Sequence, residues 1–114
     1  MTAIIGLLIA LALTIVVEVG VAALLGWRLR SELLAVVLVN VLTVPVLNVA
    51  LDFVAQASPM IYWPALVAGE VAVVLVEWRL LIALTGRESG ETLRLAIAMN
   101  LVSVLVGFLL LWVA

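Results

Sequence analysis

A chain of 114 residues that is 69% hydrophobic and 11% charged, with a mean hydropathy of +1.53, lies far from the roughly 45–50% apolar and ~25% charged mix of soluble domains. Small folds leave much of their surface uncovered, so lipid rather than water must face this one. The net charge of −2 excludes the clustered basic footprint of a nucleic-acid binder. The absence of Cys and His excludes thiol chemistry, the familiar zinc sites and His-based triads.

Four apolar runs follow one another, roughly Thr2 to Gly26, Leu33 to Val54, Pro64 to Leu84 and Thr92 to Val113. Each is near the ~20 residues that cross a bilayer core as a helix, and none has the ~10-residue alternation of an outer-membrane strand. They predict an all-α integral membrane four-helix bundle. It forms a single transmembrane domain over residues 1–114, with one hairpin at about 1–55 and a second at about 64–114. The first run lacks a basic leader and carries Glu18, which makes it a mature helix rather than a signal peptide.

The connections are short. Residues 27–32 (Trp27, Arg28, Leu29, Arg30, Ser31, Glu32) join the first pair, and residues 85–91 join the last, with a helix start at Ser89 and Glu91. The central connection, Gln56 to Pro64, carries Tyr62 and Trp63, which suit the headgroup layer, as do Trp27 and Trp112; Asp52 and Gln56 are expected beside it. Arg28, Arg30, Arg87 and Arg94 flank the first and third connections, and the central one has none. The positive-inside rule then predicts a multi-pass cell-membrane protein with the arginine-bearing loops cytoplasmic and both termini outside.

Self-comparison predicts a duplication. Val17-Glu18, Gly26, an arginine loop, Asn40 and Thr43 match Val76-Glu77, Gly86, an arginine loop, Asn100 and Ser103. Each half holds an even number of spans, so the hairpins are expected to be parallel repeats about an axis along the membrane normal. Glu18, Glu77, Asn40 and Asn100 all fall about 13–15 Å along the helices from the arginine loops, at ~1.5 Å per residue. One layer inside the hydrocarbon thus collects two carboxyls and two carboxamides.

Glu70 and Glu77 are seven residues apart, which returns them to nearly the same helix face. Asn100, Ser103 and Gly107 form a narrow stripe suited to close helix approach, and Asn40, Thr43, Pro45, Asn48 and Asp52 make a broader strip on the second helix. Arg79 lies about 200° around the helix from Glu77; it either snorkels toward the cytoplasmic headgroups or pairs with Glu18.

Ionisable residues inside a membrane are costly and point to function. The candidate ion- or substrate-binding residues are therefore Glu18, Glu77, Glu70, Asn40, Asn100, Arg79, Thr43 and Ser103. The reading that follows is a proton- or cation-linked transporter or ion pathway whose oxygen donors suit a proton, Na⁺, Mg²⁺ or Ca²⁺; which metal, if any, stays open. The alternative is a non-transporting scaffold or accessory subunit in which the same residues only fix helix packing. No enzyme activity is expected, since the motifs of intramembrane proteases are missing, and no cofactor is expected. Four spans leave little room for an enclosed path, so a homodimer or a complex with other membrane subunits is expected in the lipid bilayer.

Length, four spans and the first-helix Glu in Val17-Glu18-Val19-Gly20 resemble the small multidrug resistance transporters, with Tyr62 and Trp63 echoing the aromatics of their third helix. That resemblance implies proton and cation binding at Glu18. The chain departs from that family in its one-sided arginines, its two acidic residues in helix 3 and its duplication. The wider skeleton, Glu18, an arginine loop, Asn40-x-x-Thr43-x-Pro45-x-x-Asn48, then Glu70, Glu77 and Asn100-x-x-Ser103-x-x-x-Gly107, is similar to small uncharacterised prokaryotic four-span integral membrane proteins, and implies no activity.

Overall fold

The computed structural model describes the backbone of residues 2–113 and the side chains of residues 4–109; the side chain of Trp112 lies outside that range. Four helices follow in order: α1 (Thr2–Leu24), α2 (Arg30–Ala57), α3 (Tyr62–Thr85) and α4 (Ser89–Val113). No strand occurs among the described residues. α1, α2 and α4 are each long and apolar enough to cross a membrane. α3 has the length for it, but carries Glu70, Glu77 and Arg79 within its 24 residues.

The helix ends follow from local chemistry. Beyond α1, Gly26 takes φ 94°, where a side chain would be strained. This lets Trp27 N–H reach Ala22 O at 2.9 Å and Gly26 N–H reach Ala23 O at 3.2 Å, the paired bonds of a Schellman closure. Gly86, at φ 68°, closes α3 with a bond to Ile82 O at 2.9 Å. At the start of α2, Glu32 accepts from Leu29 N–H at 3.3 Å, satisfying one of the donors a helix N-terminus leaves open.

The central connection is shorter than the sequence implies. α2 continues through Pro45 to Ala57, a single 3₁₀ turn spans Pro59–Ile61, and α3 starts at Tyr62. Pro64 therefore lies inside the first turn of α3, where its missing N–H would have no intrahelical partner in any case.

The helices form a ring. α1 packs against α2 and α4, α3 packs against the same two, and neither diagonal pair approaches. Short connections make every neighbour antiparallel. The bundle measures 40 × 24 × 24 Å, and its outer surface is apolar on all four helices, with Leu8, Val16, Leu38, Val46, Phe53, Val67 and Leu105 all exposed.

The interior is unequal along its length. The buried apolar cluster of Ala22, Trp27, Ala35, Val36, Val39, Leu81, Leu95 and Met99 occupies only the half next to the arginine loops. Trp27 is 1% exposed. The expectation that it faces a headgroup layer is therefore corrected: the Schellman closure turns the chain back, and the indole caps the core. Trp63, by contrast, is 58% exposed, and Asp52 and Gln56 are exposed as well.

This burial difference sets an expected outcome. Trp27→Ala should lower stability by about 3–5 kcal/mol, the usual cost of deleting a buried aromatic ring, while Trp63→Ala should change it by less than about 1 kcal/mol. Denaturant titration in detergent measures both.

Candidate functional site

Directly above the apolar cluster, one turn further from the arginine loops, lies a polar layer. Glu18 on α1 sits a turn before buried Ala22, and Glu77 on α3 sits a turn before buried Leu81. On α2, Ala35, Val36, Val39 and Asn40 are buried. On α4, the residues 60 positions later, Leu95, Ala96, Met99 and Asn100, are buried as well. The two carboxyls are 1% and 0% exposed, so both point inward as the sequence spacing requires.

Glu77 is fully engaged. Its Oε1 accepts from Asn100 Nδ2 at 2.5 Å and its Oε2 from Thr43 Oγ1 at 2.9 Å. Asn100 Nδ2 also donates to Ala96 O at 2.8 Å, and Thr43 Oγ1 stands 3.0 Å from Val39 O. A hydroxyl has one hydrogen and two lone pairs. Thr43 can therefore donate to an ionised Glu77, or turn its hydrogen to Val39 O and accept from a protonated one. Glu77 is satisfied in either state.

Glu18 is not. Its Oε2 is buried with no hydrogen-bond partner, and so is Asn40 Oδ1. Asn40 stands beside Glu18; one of its two amide hydrogens goes to Val36 O at 2.9 Å, and the other is available to the Glu18 carboxyl. The Glu18 carboxyl thus keeps one buried oxygen without a partner. A buried unpaired polar atom costs about 1–3 kcal/mol, so a proton or cation taken up at this oxygen would be stabilised.

A cavity of about 220 Å³ reaches this point from the far half of the bundle. It is lined by Tyr62 near the central connection, Thr14 and Asn48 along its length, Glu70 and Ser103 on its walls, and Glu18 and Asn100 at its floor. Leu47 also borders it, filling the space a side chain at position 69 would need: a Cβ built on Gly69 would meet Leu47 Cδ1 at 2.6 Å. A second, apolar groove of about 570 Å³ runs along the outside of α3 and α4 and shares Leu66, Glu70, Asn100 and Val104 with the cavity.

The structure therefore brings together Glu18, Glu77, Asn40, Asn100 and Thr43, and places Glu70 and Ser103 on the cavity above them. Arg79 leaves the set. It is exposed, with its guanidinium 5.2 Å from the Trp78 ring centroid, and no ion pair among the described residues joins it to Glu18. Its place on the helix face away from Glu77 accounts for this. Gly107 is exposed, and a Cβ there would meet nothing within 4 Å, so it does not mediate the close helix approach expected of it. Thr14 is the lining residue that sequence reasoning missed; its position one turn before Glu18 on the same face was the available signal.

No three or more acidic side chains among the described residues are grouped as a metal centre would need. Outside the layer, Arg87 is the charged residue most strongly tied. The hydrogen bond to Glu32, followed by that to Glu91, raises its pKa above the ordinary arginine value, so it stays charged at every pH of interest. Compared with protein-family models, curated proteins and solved structures, the chain finds no match.

The difference between the two carboxyls is measurable. Glu18→Gln supplies an amide donor where Oε2 and Asn40 Oδ1 lack one, and should leave stability unchanged or raise it by about 1 kcal/mol. Glu77→Leu strands an amide hydrogen of Asn100, while Thr43 falls back on Val39 O, and should cost about 1–3 kcal/mol. Thermal unfolding in detergent compares them, and equal losses from both substitutions would contradict the geometry.

Proposed function

We propose that this chain is a multi-pass cell-membrane protein and a proton- or cation-linked carrier or ion pathway, with Glu18 as the group that exchanges its ion. The observation that carries this is the unpartnered Glu18 Oε2 at the floor of a cavity. A carboxyl that only locks helices together has no need of an open approach or an unfilled hydrogen bond.

The membrane setting rests on the apolar exterior and on the 40 Å length of the bundle, which exceeds the ~30 Å hydrocarbon core. In that setting α3 is the fourth span. Glu77 is buried within it, Glu70 faces the cavity, and Arg79 is left at the surface to snorkel. The arginine loops lie on the cytoplasmic side by the positive-inside rule and both termini lie outside, so the cavity approaches Glu18 from the external half. The recurrence of buried positions 60 residues apart on α2 and α4 favours two duplicated parallel hairpins about an axis along the bundle. The exchanging group proposed here is a single carboxyl with one open oxygen, which suits a proton better than a divalent metal, since such metals take six or more oxygen ligands. Assembly as a homodimer, or with other membrane subunits, is compatible with this, although the cavity forms within one copy.

The competing reading, a non-transporting scaffold, is favoured by one observation: Glu77 has every hydrogen bond it needs. We assign that packing role to Glu77 and the exchange to Glu18.

Proteoliposomes loaded with a pH-sensitive dye and polarised with potassium and valinomycin test the assignment. The native chain should carry a proton flux above protein-free vesicles. Glu18→Gln should reduce that flux to background, whereas Glu77→Gln should retain a measurable part of it. Flux undiminished in the doubly substituted protein would rule out exchange at this layer.

A further inference from the structure

The half of the bundle beneath Glu18 is closed by more than apolar packing. Gly86 ends α3 in a left-handed turn, and the next residue, Arg87, reaches across the pole. Its Nε and Nη2 contact Glu32 Oε2 and Oε1 at 2.5 and 3.0 Å, its Nη1 donates to Glu91 Oε1, and its Nη2 also reaches Gly26 O at 3.2 Å. The guanidinium plane lies 4.3 Å from the ring centroid of Trp27.

These partners belong to different helices. Gly26 and Trp27 follow α1, Glu32 is in the first turn of α2, Arg87 itself follows α3, and Glu91 is in the first turn of α4. One guanidinium therefore ties all four helix ends at this pole. Only Arg has the planar fork of donors to do so; a lysine ammonium is a point charge and cannot hold the same set. The Glu32 side chain is 6% exposed and that of Arg87 25%, so the carboxylate is covered while the guanidinium keeps part of its surface in water.

The other pole is built differently. Both ion pairs among the described residues use Arg87. Around the central connection the contacts are aromatic: Tyr62 against Trp63 at 5.5 Å and Trp63 against Phe108 at 6.2 Å. The cavity lies in that half, while Trp27, Leu81, Leu95 and Met99 fill the half under Arg87.

We infer that Arg87 is a latch: bound to Glu32, Glu91 and Trp27, it holds the arginine pole shut, so that the Glu18 cavity communicates with one side of the membrane only. Releasing it lets the four helix ends part and opens the second approach to Glu18. This rests on the cavity being the ion route proposed above, and it adds the element that decides which side the route faces.

The chain contains no cysteine, so Ser103→Cys places a single thiol on the cavity wall. It is read by a membrane-impermeant thiol reagent applied to either face of sealed, oriented vesicles. With Arg87 intact, modification should proceed from the face of the central connection and be slow from the arginine face. Arg87→Ala, and to a lesser degree Arg87→Lys and Glu32→Gln, should raise the arginine-face rate by on the order of tenfold, matching a shift of about 1.4 kcal/mol between closed and open forms. Glu32→Gln keeps Glu91 and Trp27 in place and carries the test if the alanine variant does not fold. An unchanged arginine-face rate in the folded variants overturns the latch while leaving the cavity intact. No modification from either face in any variant overturns the cavity route and the latch with it.

Discussion

A carboxyl taken out of water must be given donors, and the bundle gives them to both oxygens of one of its two deepest carboxyls and leaves one oxygen of the other without any. Glu77 receives Asn100 and Thr43, while Glu18 Oε2 and Asn40 Oδ1 are buried with neither. The helices around the two are alike in their pattern of burial, so the difference comes from the second-helix partner of each. Thr43 reaches across to Glu77 from α2, and Ser103 on α4, 60 positions later, lines the cavity instead. Unpaired buried groups of this kind are uncommon in native structures, and they concentrate where a protein binds something.

The same layer divides the molecule along its axis. Toward the arginine loops the ring is dry and packed, topped by Trp27 and the Arg87 network. Toward the central connection it holds a cavity with polar walls. Dense packing on one side and an approach on the other is what a one-sided ion site needs: the packed half blocks leakage, and the open half supplies water. The lateral groove on α3 and α4 adds an apolar flank to Glu70 and Asn100 without supplying hydrogen-bond donors.

Much of this was legible in the chain. Run length alone gave four helices, because a continuous apolar stretch of ~20 residues has few other folded outcomes. Residue spacing placed Glu18, Glu77, Asn40 and Asn100 at one depth, because depth along a helix depends only on rise per residue. What escaped was lateral. Which carboxyl would be satisfied depends on rotamers across helices, and no periodicity encodes that. In the sequence Arg87 is one of four arginines that mark orientation, with Arg28, Arg30 and Arg94, and nothing in its spacing to Glu32, 55 residues earlier, signals their pairing. An aromatic at a helix end usually belongs to a headgroup layer, whereas the Gly26 turn folds Trp27 back inside. The apolar run that begins at Pro64 suggests a helix start there, whereas α3 begins two residues earlier, at Tyr62.

Glu18, and not Glu77, is the carboxyl proposed to be open and exchanging. A membrane-permeant carbodiimide, which reacts with carboxyl groups it can reach within a bilayer, tests that claim on the native chain, with the modified residue located by peptide mass mapping. Modification is expected at Glu18, with Glu77 protected by Asn100 and Thr43. Equal modification of both residues, or reaction at Glu77 with Glu18 inert, would contradict it.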